Sequence, residues 1–239
     1  MRRIRKWLAP VLVFFAAAML ILFCAGHRLD ADETALSDLI SDENVTVSRT
    51  RYGWFFDGPS SETALIFYPG ALVDARAYAP LLHRLAEEGM DACLAKMPFR
   101  LALFGINSAD EIMKQYEYCR WYIGGHSLGG AMAAEYAANH ADRLSGLILL
   151  AAYPTRKLDP QLTEISIYGS EDGVINRNKL ESGKKLAPDT FLEFVIEGGN
   201  HAQFGSYGIQ RGDAAAAVSQ EEQQRMTVEY IISNVRSGA

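Results

Sequence analysis

Cysteine is scarce in this sequence, with three among 239 residues. The part of the chain after residue 26 carries only Cys93 and Cys119, which are too few for a disulfide framework, so we expect two buried free thiols. No His, Cys and Asp cluster has the spacing of zinc ligands. No G-x-G-x-x-G motif is followed by an acid suited to a ribose, which argues against a bound dinucleotide.

Acidic residues are missing from positions 1–26, where Arg2, Arg3, Arg5 and Lys6 supply positive charge. The remaining chain carries 19 basic and 29 acidic residues, a formal charge of −10. This acidic body argues against nucleic acid as a partner, because phosphate binding needs clustered Lys and Arg. The overall composition, 49% hydrophobic and 22% charged, excludes a mainly disordered chain and fits one enzyme-sized domain.

Residues 7–25 contain no charge, and as a helix they would span about 29 Å, the thickness of a bilayer core. Basic residues before such a run place the N-terminus in the cytoplasm and the rest of the chain outside it. We predict that residues 1–26 are a signal anchor, one transmembrane helix at the cell membrane. The alternatives are a cleaved signal peptide, which would give a secreted protein, and a lipoprotein site at Cys24, which the bulky Phe23 disfavours.

The rest of the chain is predicted to be a polar linker, residues 27–44, followed by one domain over residues 45–239. In that domain, apolar strand-like runs alternate with helical patterns, which predicts an α/β fold with a mostly parallel sheet and helices on both faces. The predicted strands cover 45–51, 52–56, 64–68, 90–97, 121–123, 144–151, 165–168 and 191–196. The predicted helices cover 78–85, 108–116 and 128–139 and a last segment capped by Ser219.

Gly125-His126-Ser127-Leu128-Gly129 matches the G-x-S-x-G pattern and lies between a predicted strand and a predicted helix. This context is the one that lifts a serine hydroxyl into the open on a tight strand-to-helix turn, with glycines leaving room for neighbouring backbone. The following helix also directs its first N–H groups toward any negative charge that forms there. We therefore predict that Ser127 is a nucleophile.

A serine nucleophile needs a histidine base that is held by a carboxylate. In folds with this motif the chain order is serine, acid, histidine, which leaves His201, in a glycine-rich loop after the last strand, as the candidate base. The other four histidines are His27 and His83, which precede the serine, His126 inside the motif, and His140 at the end of the following helix.

The acid should follow a strand between the serine and the histidine, and Glu171 and Asp172 both follow the predicted strand 165–168. We favour Asp172 because it lies at the turn beside Gly173. An oxyanion hole needs two backbone N–H donors, one from the residue after the nucleophile and one from the loop after the first parallel strand. These are predicted to be Leu128 and, in the second loop, Ala71, with Leu72 as the alternative.

Together these motifs resemble the α/β-hydrolase superfamily over about residues 45–236. Tyr68-Pro69-Gly70-Ala71-Leu72-Val73-Asp74 and Gly199-Asn200-His201-Ala202-Gln203-Phe204-Gly205 resemble a bacterial branch of membrane-anchored or exported hydrolases related to the dienelactone hydrolases. The resemblance implies the α/β-hydrolase fold, a Ser127–His201–Asp172 triad, and no metal or organic cofactor. Dienelactone hydrolases use a cysteine where this chain has Ser127, so lactone specificity is not implied. Pro69-Gly70 also replaces the His-Gly of many relatives, which bears on the second oxyanion donor.

Only 13 residues, including two prolines, separate the predicted strands that end at 151 and begin at 165, which is too few for a lid domain. We expect an open site acting on carboxylic esters of small to medium acyl groups through an acyl-enzyme. Candidate residues for an acyl pocket are Leu72, Leu101, Phe104 and Phe204. The alternatives are a thioesterase, acyltransferase or peptidase using the same triad, or a catalytically silent, membrane-tethered binding module.

Overall fold

The computed structural model describes residues 27–59 and 62–237. The predicted transmembrane helix at 1–26 lies outside these residues. Within the described ranges, no helix is long and apolar enough to cross a bilayer.

Eight strands of the described chain form one sheet in the order β1-β2-β4-β3-β5-β6-β7-β8. Strands β1 and β2 are antiparallel to their neighbours, and β3 to β8 run parallel to one another. The mostly parallel sheet predicted from the sequence is thus confirmed. The strands are β1 Thr46–Thr50, β2 Gly53–Asp57, β3 Thr63–Tyr68, β4 Asp91–Ala95, β5 Arg120–His126, β6 Gly146–Leu150, β7 Thr163–Gly169 and β8 Thr190–Ile196.

Helices cover both faces of this sheet. The α-helices in the described residues are α1 Glu33–Ser37, α2 Ala79–Glu87, α3 Ser108–Met113, α4 Leu128–Asn139, α5 Arg177–Lys184 and α6 Gln220–Ser237. Short 3₁₀ turns lie at Ala75–Tyr78, Pro98–Arg100, Ala102–Phe104, Ala141–Arg143 and Ala202–Phe204.

Strand β3 shows how the sequence produces the two-sided core. All six of its residues are buried, because side chains alternate between the faces and both faces are covered. Leu65 and Phe67 pack in a cluster with α2 and α6, whereas Ile66 and Tyr68 pack in a second cluster with α3 and α4. The continuous apolar run that predicted a parallel strand is therefore a consequence of burial between two helical layers.

Several local predictions differ from the structure. Strand β5 runs on to His126, three residues beyond the predicted end, and helix α5 was not predicted because its sequence is mainly polar. Ser108 and Glu111 match the capping-box pattern, which predicts a cap at Ser108, but Ser108 is the first residue of α3 and caps nothing. The predicted cap at Ser219 is present, since Ser219 Oγ accepts the Glu222 N–H at 3.2 Å. Cys119, predicted to be buried, is exposed.

The segment predicted as a linker packs along the domain. Asp32 caps α1 by accepting the Ala35 N–H at 2.8 Å, and Ala35 is fully buried. Leu29 donates its N–H to the Leu72 carbonyl at 3.1 Å and accepts the Asp74 N–H at 2.8 Å. Residues 29–35 are therefore attached to the loop that follows β3.

Glu164, at the start of β7, is a carboxyl group that is 1% exposed, and its Oε2 has no hydrogen-bond partner among the described residues. Burial raises its pKa to about 8. The folded protein therefore holds a proton that the unfolded chain releases at lower pH, so the free energy of unfolding should fall as pH rises from 4.5 toward 8.

We expect Glu164→Gln to remove this contribution, because the amide stays neutral at every pH. The variant should gain stability relative to wild type as pH rises through this window, by at most about 1.4 kcal/mol for each pH unit. Urea denaturation at several pH values measures the free energy of unfolding of both proteins. The other titrating groups contribute equally to both, so the difference between the two free energies reports on residue 164. A difference that does not change with pH would contradict the prediction.

Candidate active site

Ser127 lies at the sharp turn between β5, which ends at His126, and α4, which begins at Leu128. Its backbone is in a left-handed conformation, φ 53° and ψ −122°, which costs a non-glycine residue about 1–3 kcal/mol. Gly125 and Gly129 make the turn possible, because a Cβ on either would stand within 2.4 Å of the Tyr68 carbonyl oxygen. The strained turn predicted from the motif is therefore present.

The loops after β7 and β8 bring Asp172 and His201 together. Asp172 Oδ2 lies 2.8 Å from His201 Nδ1, and both side chains are buried. Asp172 Oδ1 accepts the N–H groups of Val174 and Ile175, each at 2.8 Å. Because the carboxylate is an acceptor, His201 donates from Nδ1 and leaves Nε2 as an acceptor, which has no hydrogen-bond partner among the described residues. Glu171, the other candidate acid, is exposed.

The loop after β3 supplies a free N–H at the position predicted for the oxyanion hole. Leu72 is not available, because its N–H donates to the Arg100 carbonyl at 2.8 Å. For the N–H of Ala71, and for that of Leu128 at the start of α4, the described residues offer no acceptor.

Behind the elbow lies a buried hydrogen-bond network that the sequence did not predict. The Tyr78 hydroxyl accepts the Gly70 N–H at 3.1 Å and lies 2.8 Å from His126 Nδ1. The Tyr78 hydroxyl and His126 Nδ1 therefore share one buried hydrogen bond. Burial and the nearby His201, whose ring centroid is 4.5 Å away, hold the pKa of His126 well below its usual range.

Asp213 connects the two loops that carry the acid and the base. Its carboxylate accepts the Gly173 N–H at 3.1 Å and the Ala202 N–H at 2.8 Å. Those donors are the residues next to Asp172 and His201 in the chain. No sequence signal marks this role, since Asp213 stands in a polar loop, Arg211-Gly212-Asp213, with no motif around it.

A cavity of 630 Å³ opens beside the serine and the histidine. Its walls are mostly apolar and come from α4, the segment after β6, the segment after Asp172, and α5. The lining residues are Ser127, Leu128, Ala131, Met132, Ala151, Ala152, Tyr153, Pro154, Thr155, Val174, Ile175, Asn176, Lys179, Ser182, Gly183, Leu186 and His201.

None of the four residues predicted for an acyl pocket lines this cavity. Phe204 is fully buried in the core, and Phe104 is 54% exposed. Leu72 and Leu101 lie in the loop after β3 and the loop after β4. Those candidates come from the loops after β3, β4 and β8, whereas the open space beside Ser127 and His201 lies between α4 and α5, a helix that the sequence did not reveal.

A search of residues 27–59 and 62–237 finds no group of three His, Cys, Asp or Glu side chains that could hold a metal ion.

The sequence profile of the Alpha/beta hydrolase family matches residues 64–225, which span β3 to α6 and include Ser127, Asp172 and His201. The chain belongs to this family. The resemblance to the α/β-hydrolase superfamily found in the sequence is therefore confirmed.

Individual relatives are distant. A protein of Mycobacterium phage D29 named as a candidate non-heme haloperoxidase is 32% identical over 98 residues, 37% of this chain and 35% of that protein. A dienelactone hydrolase from Anabaena variabilis has a similar structure, with a TM-score of 0.56, 12% identity, and coverage of 81% of this chain and 97% of that one. A bacterial membrane phospholipase A gives a TM-score of 0.55 at 12% identity, covering 98% and 100%. At these identities the structures show a shared fold.

We expect Asp213→Ala to lower the free energy of unfolding by about 1–3 kcal/mol, because it leaves the Gly173 and Ala202 N–H groups without an acceptor. Urea denaturation measures the change. Glu171→Ala is the matched control, since this exposed carboxylate has one side-chain contact, with Ser170 at 3.4 Å, and its loss should cost less than about 0.5 kcal/mol. Equal effects in the two variants would contradict the bridging role of Asp213.

Proposed function

We propose that this hydrolase cleaves carboxylic esters of small to medium acyl groups through an acyl-enzyme formed on Ser127. The observation that carries the proposal is the 2.8 Å contact between His201 Nδ1 and Asp172 Oδ2, which leaves His201 Nε2 unpaired at the cavity that Ser127 also lines. A buried nitrogen without a hydrogen-bond partner calls for an explanation, and for His201, which lines the cavity, proton transfer with a bound substrate supplies one.

In the proposed reaction, His201 Nε2 takes the proton of Ser127 Oγ as that oxygen attacks the ester carbonyl. The Ala71 and Leu128 N–H groups stabilise the oxyanion, and Asp172 stabilises the imidazolium. His201 then protonates the departing alcohol. Water, activated by the same nitrogen, releases the acid and restores the serine. The neutral His126 beside His201 favours this cycle, because a second positive charge there would oppose formation of the imidazolium.

The cavity supports a small to medium acyl group. Its volume of 630 Å³ is in the range of small-molecule sites, and its lining is mostly apolar. The 12 residues between β6 and β7 contain no helix, so no lid domain is inserted there. The names of two structural neighbours, a dienelactone hydrolase and a phospholipase A, are also those of enzymes that act on esters.

We also propose that the domain works outside the cytoplasm, held at the cell membrane by residues 1–26. The support is the sequence alone, the uncharged run 7–25 after four basic residues.

The proposal predicts that residues 27–239 react with a fluorophosphonate probe and that Ser127→Ala and His201→Ala do not. Asp172→Asn should lower kcat for ester hydrolysis by about 10⁴-fold, since the amide favours the wrong tautomer of His201. Probe labelling followed by mass spectrometry, and hydrolysis of p-nitrophenyl esters, measure these effects. Circular dichroism confirms that each variant is folded.

A folded wild type that stays unlabelled would overturn the activated serine and favour a catalytically silent binding module. Labelling without ester turnover, accompanied by turnover of thioesters or peptides or by transfer to alcohols, would keep the triad and replace the substrate class.

Ala131 lies one helical turn after Ser127, with its N–H bonded to the Ser127 carbonyl, and lines the cavity. We expect Ala131→Trp to lower kcat/KM for octanoate esters about tenfold more than for acetate esters, because the indole occupies acyl space. Asn178→Trp is the matched control, since Asn178 is exposed on α5 and does not line the cavity. Parallel losses on both esters would show that acyl chains bind elsewhere.

A further inference from the structure

The loop after β4 presents apolar side chains to solvent. Phe99, Leu103 and Phe104 are 76%, 56% and 54% exposed, and the two phenylalanine rings contact each other with centroids 5.7 Å apart. Phe99 and Arg100 are consecutive non-glycine residues in the left-handed conformation, with φ of 55° and 57°. We call Phe99, Leu103 and Phe104 the apolar tip.

This arrangement does not stabilise the folded state by itself. Left-handed backbone is strained at phenylalanine and arginine, and the exposed rings contribute no stabilisation through burial. The surrounding structure nevertheless holds it in place. The Arg100 carbonyl accepts the Leu72 N–H at 2.8 Å, and the Arg100 guanidinium pairs with Asp30 at 2.8 Å and Asp74 at 3.3 Å. Strain maintained in this way points to a use for the exposed tip.

Beside the apolar tip lies a hollow of 290 Å³ lined by four basic side chains, Arg49, Arg76, Lys96 and Arg100, and one acid, Asp74. We call it the cationic hollow. Asp74 is engaged by Arg76 at 2.7 Å and also by Arg100. Arg49 and Lys96 are exposed and form no ion pair with any described residue. The hollow therefore carries a net positive charge.

This positive charge is opposite in sign to the formal charge of the whole chain after residue 26, which is −10 with the hollow included. An anionic surface would repel most of the domain and attract this hollow. A charge asymmetry of this kind orients a protein on a charged surface. An adjoining apolar tip strengthens binding to a bilayer, because its side chains insert at the boundary between head groups and acyl chains.

The chain enters the described structure at the same face. Leu29 is hydrogen-bonded to Leu72 and Asp74, the second of which lines the cationic hollow. Leu29 lies four positions after residue 25, the end of the uncharged run, and an extended chain over four positions spans at most about 14 Å. If residues 7–25 lie in a bilayer, the hollow and the tip are held beside its surface.

We propose that the apolar tip and the cationic hollow form a face that docks on an anionic lipid bilayer. The phenylalanine rings enter the boundary between head groups and acyl chains, and Arg49 and Lys96 contact lipid phosphates. This contact is additional to residues 1–26 and does not depend on the ester chemistry. It also fixes an orientation, since the loop after β3, which carries Ala71, borders the docked face.

Tryptophan quenching in the full-length chain tests the proposal. The protein is reconstituted into vesicles of brominated phosphatidylcholine, with or without phosphatidylglycerol, as Phe99→Trp and as Val195→Trp. Val195 is the control because it is 40% exposed on β8, at the opposite edge of the sheet from β1. The native tryptophans Trp7, Trp54 and Trp121 contribute a background, which is measured for each lipid and each charge-reversal variant in the protein without the new tryptophan and then subtracted. We expect quenching of the new tryptophan at position 99, none at 195, and stronger quenching with phosphatidylglycerol.

Charge reversal tests the cationic hollow separately. Arg49→Glu with Lys96→Glu should reduce quenching at position 99 to the level at 195. Lys185→Glu with Arg211→Glu changes the net charge equally at exposed sites outside the hollow and should leave quenching intact. Equal quenching at positions 99 and 195 overturns the proposal. Quenching at position 99 that is the same with and without phosphatidylglycerol, and the same in both charge-reversal variants, also overturns it. A dimer that Phe99→Ser abolishes, without quenching at 99, overturns it in favour of a second copy of the chain.

Discussion

The buried contact between Asp172 and His201 is the constraint on which the arrangement of the site depends. A carboxylate removed from water must be compensated by donors, and Asp172 receives three, from His201 Nδ1 and from the N–H groups of Val174 and Ile175. Those donors come from two loops that follow neighbouring parallel strands, β7 and β8, so the loops must keep one relative position. Asp213 accepts one N–H from each loop and provides that restraint from a third segment. The geometry of the acid–base pair is thus held by backbone hydrogen bonds as well as by the contact within the pair.

Ser127, the proposed nucleophile, is positioned by a different interaction, the close packing of backbone. Ser127 keeps a left-handed conformation because β5 and α4 meet there with no space to relax, as the distances at Gly125 and Gly129 show. Substituting either glycine would push the end of β3 away. That end continues into the loop carrying Gly70 and Ala71, so the same contact that strains the serine also sets the position of the oxyanion loop. Tyr78 reinforces it by accepting the Gly70 N–H while holding His126 next to the serine.

The features predicted from sequence are those with local causes. The apolar run of β3, the helical pattern of α4 and the chain order serine, acid, histidine each depend on residues close together or on one rule of the fold, and the structure has all three. What was missed depends on contacts distant in sequence. Helix α5 has a mainly polar sequence and contacts the core through Leu180. Its sequence therefore lacks the hydrophobic periodicity that predicts a helix, and the cavity between α5 and α4 could not be predicted. Asp213 acts through hydrogen bonds to residues 11 and 40 positions away, and Tyr78 through one to His126, 48 positions away. Residues 27–44 look like a linker because their composition is polar, yet their attachment uses backbone groups, which composition does not report.

The loop from Gly70 to Asp74 shows how these contacts combine. Within the described structure the Gly70 N–H goes to Tyr78, the Leu72 N–H to Arg100, the Val73 N–H to Gly70 and the Asp74 N–H to Leu29, which leaves the Ala71 N–H without an acceptor. The Ala71 N–H is therefore unpaired because the other four N–H groups of this loop already have acceptors. Two of the partners, Leu29 and Arg100, belong to the segment that follows residues 1–26 and to the strained loop beside the cationic hollow. Both partners are hydrogen-bonded to residues close to Ala71 in the chain, so the proposed docking face and the proposed oxyanion donor are connected through the loop from Gly70 to Asp74.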